Sequence, residues 1–318
     1  MYTSRRMFLG GLISSLFVSH SAVPVRGQGE APALFTKKPE DFDPNLIVFL
    51  SDTHCNPKGL SYQRQRLQAV VAEILKLNPL PARVVIFGDF AYLNGRREDY
   101  VAASQTVKPL ADAGIKLTIG MGNHDRREPF LEFYPDYAKT SPVPGRIVSV
   151  VETQHLDLIM LDSLQHEPSG KGIGGGLIDP EQRKWLALTL QNYKKPVFVS
   201  AHHSIKELKL DKLLVNTPQV AGFIHGHHHR WTKGWVKADW TNSRTLRTLC
   251  LPSTGHWGDI GYTLFRIRPD RAVAELRQSD FYFPHPLPKE KRPEDWDIHL
   301  EENRGQTCTF ILPKGTAV

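Results

Sequence analysis

Five short polar clusters hold the residues whose types could carry out chemistry. The clusters are Asp52-x-His54, Gly88-Asp89, Gly122-Asn123-His124-Asp125, His202-His203 and His227-x-His229. Their carboxylates, amide oxygen and imidazoles form a mixed oxygen and nitrogen ligand set, which suits Mn, Fe, Zn or Co better than Ca or Mg alone. The set is too large for one tetrahedral zinc and is sufficient for two metal ions bridged by a carboxylate. Each cluster alone is also typical of an ordinary turn or surface loop.

An apolar run of strand length precedes each cluster. The runs are 47–50, 84–87, 115–121, 196–199 and 220–224. Apolar residues at helical spacing lie between several of these runs, and Asp179-Pro180 has the composition of a helix start. Open α/β sheets place their sites at the carboxyl ends of strands. Five strand ends that carry polar clusters therefore predict one composite site.

The chain changes character after the last cluster. Alternating apolar residues over 232–237, 245–251, 261–267 and 272–276 predict antiparallel strands. Prolines multiply after 283 and the periodicity fades, so residues 284–318 are predicted to be a tail that lies over the domain. Strands that alternate with helices and are followed by further strands predict an α/β domain with at least two sheets.

Charge and composition exclude several classes of protein. The 318 residues carry a formal net charge of +7, which falls to +4 if Arg5, Arg6 and Arg26 are removed with a leader. This charge is spread along the sequence, which favours a solvated surface and an anionic small substrate over a nucleic-acid polymer. The glycine-rich stretch 170–176 lacks the spacing of a phosphate-binding P-loop.

The three cysteines, Cys55, Cys250 and Cys308, have no CxxC spacing. They predict neither a disulfide framework nor a structural zinc site. A single bridge between Cys250 and Cys308 stays open in an oxidising compartment. Cys55 directly follows His54 and is predicted to be a small buried residue near the site, with metal ligation as the alternative.

The N-terminus has the layout of an export signal. Ser4-Arg5-Arg6-Met7-Phe8-Leu9 precedes the apolar stretch 10–18, which is too short to span a bilayer. The paired arginines followed by Phe-Leu resemble the twin-arginine class of bacterial signals; an uncleaved signal anchor is the alternative. We expect a signal peptide over 1–27, a tether over 28–43, transport by the twin-arginine machinery, no permanent membrane span and a periplasmic or extracellular protein.

The five clusters, in this order, resemble the calcineurin-like metallophosphoesterases, whose pattern is D-x-H, G-D, G-N-H-[DE], H and G-H-x-H. The resemblance covers roughly residues 45–267. The stretches 88–95, 122–127 and 161–163 are most similar to the cyclic-nucleotide and glycerophosphodiester phosphodiesterase branch. The resemblance implies a four-layer α/β/β/α sandwich over residues 44–283, with the metals at the strand ends.

The resemblance also implies a ligand set for two transition-metal ions, drawn from Fe, Mn and Zn. The first ion would be held by Asp52, His54 and His229. The second would be held by Asn123, His202 and His227, and Asp89 would bridge the two. His202 is chosen over His203 because family members use the first position, which leaves His203 and His228 behind the ligands or facing substrate.

A mechanism follows from this ligand set by counting charges. Two metal ions outweigh the two carboxylates, so the site attracts a phosphate ester and lowers the pKa of a bridging water. The hydroxide would then attack phosphorus in line. His124 is the candidate to donate a proton to the leaving group, with Asp125 fixing the orientation of its ring.

The motifs leave the substrate open. A cyclic-nucleotide or glycerophospho-phosphodiesterase is the first hypothesis, and a non-specific periplasmic acid phosphatase of the purple type or a nucleotidase is the alternative. Tyr92 lies where purple acid phosphatases place an iron-binding Tyr, although His54 argues against that role. A non-catalytic metal-binding protein is the remote alternative. His256 and Trp257 either face the substrate or pack within their loop.

Overall fold

The structure is a computed structural model that describes residues 38–58, 61–166, 172–239, 241, 243–278, 303 and 305–314. Every described residue belongs to one unit, Lys37–Val318. The predicted signal peptide, most of the tether and residues 284–302 of the predicted tail lie outside the described residues. Within the described part, no helix has both the length and the apolar character needed to cross a membrane.

The predicted apolar runs form strands, and the segments with helical spacing form helices. In chain order the elements are β1 (Phe42–Leu50), α1 (Tyr62–Ile74), β2 (Leu80–Ile86), α2 (Arg97–Asp112), β3 (Lys116–Ile119), α3 (Arg127–Phe133), α4 (Asp136–Thr140), β4 (Ser149–Glu152), β5 (Asp157–Met160), β6 (Leu164–His166), β7 (Gly172–Gly176), α5 (Pro180–Gln191), β8 (Val197–Ser200), α6 (Asp211–Val215), β9 (Val220–His225), β10 (Thr232–Val236), β11 (Leu246–Cys250), β12 (Gly261–Ile267), β13 (Arg271–Gln278) and β14 (Thr307–Ile311). The predicted start of α5 is confirmed, because the Asp179 side chain accepts a hydrogen bond from the Gln182 N–H at 2.8 Å.

Two six-stranded sheets carry the fold. The first has the order β14-β13-β12-β1-β2-β3, and the second has the order β10-β11-β9-β8-β5-β4. Strands β1, β2 and β3 run parallel to one another, as do β5, β8, β9 and β11. The predicted antiparallel strand over 245–251 is confirmed on one side only, because β11 pairs antiparallel with β10 and parallel with β9. Alternation reports which face is buried and carries no information on strand direction.

Three apolar layers confirm the predicted four-layer sandwich. Val48 of β1 faces α1 and α2 in one core. Its neighbour Phe49 points to the other face and packs against Phe265 within the core between the two sheets. A third core lies between the second sheet and α5 with α6, and it includes Val199 and Leu186. The two-residue period of the strands therefore places each sheet between helices and the opposite sheet.

The C-terminal segment is more than a covering tail. Residues 307–311 form β14, which pairs antiparallel with β13 at the edge of the first sheet. Its Phe310 is buried in the core between the sheets, with its ring centroid 5.0 Å from that of Phe198. The sequence pattern misses this strand because its partner is set by the tertiary fold.

The three cysteines are buried free thiols, so the suggested Cys250–Cys308 bridge is absent. The two residues lie on strands of different sheets. The Cys250 thiol donates to the Gly226 carbonyl at 3.4 Å, and the Cys308 sulfur accepts from Arg247 Nε at 3.4 Å. Cys55 is fully buried, as predicted, and burial raises the pKa of its thiol to about 11.

Candidate metal centre

Loops that leave five strands bring the predicted clusters together. Strands β1, β2 and β3 of the first sheet and β8 and β9 of the second each end just before one cluster. Among the described residues, six non-glycine residues have positive φ, and five of them are Asp52, His54, Asp89, His227 and His229, with φ between 41° and 71°. Backbone held in this sparsely populated region is typical of functional sites, where the fold enforces a side-chain direction.

The first group consists of Asp52, His54, Asp89 and His229. Their candidate ligand atoms all lie within 4.8 Å of one another, and the four residues are buried. His229 Nε2 lies 3.1 Å from Asp52 Oδ1, and His54 Nε2 lies 3.5 Å from Asp89 Oδ2. Two carboxylates and two imidazoles in this space match the ligands that transition metals accept.

The second group is formed around Asn123. Its Oδ1 lies 3.2 Å from His202 Nε2 and 3.0 Å from His227 Nδ1. His203 also brings a ring nitrogen within 4.8 Å of those of His202 and His227. Its Nδ1 is hydrogen-bonded to the Ser163 hydroxyl at 2.8 Å, while its Nε2 is buried without a partner.

Asp89 connects the two groups. Its Oδ2 lies 3.2 Å from His202 Nε2, in addition to its contact with His54. Its Oδ1 accepts the His124 N–H at 2.8 Å, which fixes the carboxylate. Gly122 is needed beside it, because a Cβ at that position would overlap the Asp89 carboxylate. A carboxylate that reaches both groups has the placement of a bridging ligand.

Backbone carbonyls orient three of the imidazoles. The Nδ1 atoms of His54, His202 and His229 lie 2.8, 2.8 and 3.0 Å from the carbonyls of Tyr92, Phe87 and Trp257 respectively. A carbonyl only accepts, so each Nδ1 carries a hydrogen and each Nε2 faces the cluster, where a bound cation would take its lone pair. His54 Nε2 is buried without a hydrogen-bond partner. An unpaired buried acceptor among carboxylates fits a site built for a cation.

The electrostatics of the cluster favour positive charge. Burial opposes protonation of His202, yet Asp89 and Asp52 outweigh it and raise the pKa of this imidazole to about 10. Burial would also raise the pKa of the Asp52 carboxyl, but His229 and His202 hold that pKa below its ordinary value. Burial lowers the pKa of His54 to about 4 and that of His203 to about 2, so both rings are neutral donors of a lone pair.

His124 lies at the edge of the first group and is partly exposed. Its ring centroid is 4.8 Å from that of His54. The predicted contact between Asp125 and the His124 ring is wrong: His124 Nδ1 lies 2.7 Å from the Leu93 carbonyl instead. The Leu93 carbonyl therefore orients the ring.

Asp125 is buried and holds the loops behind the site. It accepts backbone N–H bonds from Gly122, Ala91 and Phe90 at 2.9 to 3.3 Å. The Tyr100 hydroxyl donates a further bond to it at 3.2 Å. These donors, and not the neighbouring histidine, occupy its oxygens, because the turn directs the side chain into the domain.

One side of the site was only partly foreseen. His256 has its ring centroid 4.4 Å from that of His54, and its Nδ1 lies 3.2 Å from the Tyr62 hydroxyl. Arg66 donates to the His256 carbonyl. Tyr62 and Arg66 lie on α1, and they have no sequence signal of function because their helix meets the loop only in the folded chain.

Comparison with known proteins agrees with this geometry. The family model of calcineurin-like phosphoesterases matches residues 46–231, and the chain belongs to this family. A dimetal phosphatase from Danio rerio has the same fold, with a TM-score of 0.57 and 16% identity over 74% of this chain and 97% of that chain.

A probable cyclic nucleotide phosphodiesterase from Rhodopseudomonas palustris (strain ATCC BAA-98 / CGA009) is 30% identical to this chain over 122 residues. The match spans 37% of this chain and 42% of that protein, which is less than half of the relative's length. Family membership and the clustered His and Asp side chains together point to a binuclear metal site in this chain.

Proposed function

We propose that this chain hydrolyses phosphodiesters, with cyclic nucleotides and glycerophosphodiesters as the first substrate classes. The observation that carries the proposal is the composite site, in which Asp89 reaches two ligand groups and His124 lies at the edge of the first. The similarity to a probable cyclic nucleotide phosphodiesterase supports the substrate class.

The proposed ligands are those that the cluster brings together. Asp52, His54 and His229 would hold one cation, Asn123, His202 and His227 would hold the other, and Asp89 is the ligand that both would share. Such a site, loaded with Fe, Mn or Zn, would supply Lewis acidity for phosphoryl oxygens and a water of lowered pKa. The carbonyls behind His54, His202 and His229 keep the Nε2 atom of each ring aimed at the centre, so little reorganisation of these rings accompanies binding.

His124 is the proposed general acid. The Leu93 carbonyl holds the hydrogen on Nδ1, so proton exchange occurs at Nε2. A partly exposed ring beside the first group can meet a departing alkoxide, whereas the buried rings cannot. Asp89 fixes the backbone of His124 through its N–H, which couples the position of the acid to that of the bridging carboxylate.

The proposed location is outside the cytoplasm. The twin-arginine-like segment over residues 1–27 supports export of the chain, and the net charge of +4 after its removal suits an anionic substrate. Replacing Arg5 and Arg6 together by Lys should abolish export, measured as the fraction of protein in the periplasm. Unchanged export would remove the twin-arginine assignment.

A substrate panel tests the proposed activity. Cyclic nucleotides, glycerophosphodiesters, nucleoside monophosphates and sugar phosphates are compared with Mn and with Fe plus Zn. We expect the diesters to have the highest kcat/KM. Preferred hydrolysis of monoesters would contradict the proposal and favour the acid phosphatase or nucleotidase alternative.

The purple-type alternative is less favoured because His54 is present, although Tyr92 lies where purple acid phosphatases place an iron-binding Tyr. The Tyr92 backbone carbonyl faces His54, and His54 occupies the first ligand group. If the Tyr92 phenol bound ferric iron, an iron-loaded sample would be coloured by charge transfer. We expect an iron-loaded sample without that absorption band, and a band that disappears in Tyr92→Phe would reverse this assignment.

A further inference from the structure

Trp257 is an exposed aromatic residue beside the first ligand group. Its side chain keeps 40% of its surface exposed, although its ring centroid lies 4.4 Å from that of His229. His229 is itself buried and belongs to the metal cluster. The indole therefore borders the centre and also reaches solvent, where a substrate must enter.

The loop that carries Trp257 is tied to the site at several points. The Gly255 N–H donates to the Asp52 carbonyl at 3.2 Å, and the Asp259 N–H donates to the His229 carbonyl at 2.8 Å. Arg66 binds the carbonyls of Gly255 and His256 from α1. These bonds fix the loop on both sides of the indole.

Gly258 adds a steric constraint to the same loop. It has φ of +95°, and a Cβ there would overlap the His229 backbone. A non-glycine residue would be strained and would clash, so the loop can follow His229 this closely only with glycine. The backbone on the C-terminal side of Trp257 is thus pressed against a metal-ligand residue.

Packing around the indole leaves part of its surface exposed. The indole lies against the rings of His229 and His256 and still keeps 40% of its surface exposed, on a loop whose backbone is hydrogen-bonded on both sides of it. A rigid aromatic surface loses little conformational entropy when a ligand stacks on it.

We propose that Trp257 is a stacking surface for the nucleobase of a nucleotide substrate. The inference rests on the proposed phosphodiesterase function and narrows it to substrates with a planar aromatic group. Base stacking on an aromatic side chain contributes about 1–3 kcal/mol, equivalent to about five- to 150-fold in affinity. Glycerophosphodiesters have no such group and gain nothing from this residue.

The test measures binding of two phosphate ligands to the metal-loaded protein by isothermal titration calorimetry. 5′-AMP and inorganic phosphate share the metal-binding group and differ in the nucleoside. Trp257→Leu keeps apolar packing against His229 but removes the aromatic face, and Trp257→Phe keeps a smaller face. Trp235→Leu is the matched control, since Trp235 is 62% exposed on β10.

We expect Trp257→Leu to lower the affinity for 5′-AMP by at least about fivefold and to leave the affinity for phosphate and the metal content unchanged. Trp257→Phe should recover most of the loss, and Trp235→Leu should change neither ligand. Unchanged 5′-AMP affinity, or equal weakening of both ligands, would overturn the stacking surface. If cyclic nucleotides are not hydrolysed but Trp257→Leu lowers the affinity for 5′-AMP and not for phosphate, the stacking surface is supported and the proposed diesterase activity is refuted.

Discussion

Asp89 is the residue on which the two ligand groups depend. It lies near His54 and His202 through one oxygen and accepts the His124 N–H through the other. An amide in its place keeps the shape but loses the negative charge that two cations require. Position 89 therefore requires the negative charge of a carboxylate and not only its shape.

Asp89→Asn should abolish hydrolysis of an aryl phosphodiester and lower the metal content of the purified protein. Metal stoichiometry is measured by elemental analysis, and turnover by release of the aryl group. Asp112→Asn is the control, because Asp112 is an exposed carboxylate paired with Lys108 on α2. Unchanged turnover in Asp89→Asn would refute the bridging role.

Asn123 and His124 are neighbours with separable roles. His124→Ala should lower kcat by about 100- to 10,000-fold, the range of general acid catalysis, at unchanged metal content. Asn123→Ala should instead reduce metal stoichiometry, because it removes the oxygen between His202 and His227. Equal metal loss in both variants would make His124 a ligand and remove its role as acid.

The sequence predicted these side chains better than their partners. Residue type and order indicate which groups suit a metal, since ligand chemistry is local. The partner of His124 was missed because a backbone carbonyl at Leu93 has no sequence signature. Asp125 was placed against His124 by adjacency alone, whereas the turn directs its oxygens toward buried N–H groups.

At the scale of elements, the backbone strain of the site is located in the residues that follow the strand ends. His227 has φ of +71°, a region that costs a non-glycine residue about 1–2 kcal/mol. The cost is offset by tight hydrogen bonding around it, including the N–H bond from His227 to Asp52.

His227→Gly and His227→Ala remove the same ligand and differ only in backbone preference. In metal-free protein the Gly variant should have the higher free energy of unfolding, by about 1–2 kcal/mol. This reverses the usual ranking of Ala over Gly. Urea denaturation of both variants provides the measurement, and an Ala variant that is equally or more stable would show that the strain is released without the ring.

Elements that bury a regular face were predictable, and pairing between distant segments was not. The apolar runs ahead of Asp52, Asp89 and Asn123 form strands as predicted, because a short buried apolar stretch is recognisable in the sequence. The position of β11 beside β9 and the pairing of β14 with β13 depend on contacts far apart along the chain. The loop bearing Trp257 also takes its place from bonds to other elements.

For the whole molecule, the core between the sheets is closed by Phe310 of β14. Phe310→Ala should lower the free energy of unfolding by about 3–5 kcal/mol, because it opens a cavity among aromatic rings. Ile311→Ala is the control on the same strand, since Ile311 is 69% exposed and should change stability by less than about 0.5 kcal/mol. Equal effects from the two variants would show that β14 does not seal the core.

β14 also determines when the fold can be completed during synthesis of the chain. Residues 307–311 leave the ribosome well after β13, so the growing chain presents an open strand edge and an unfilled aromatic gap until translation reaches this segment. The nascent chain is therefore exposed to aggregation and proteolysis for longer than it would be if folding were complete once the metal-binding clusters, which end at His229, had been synthesised. If the N-terminal segment directs export of a folded protein, export must wait until β14 has paired with β13.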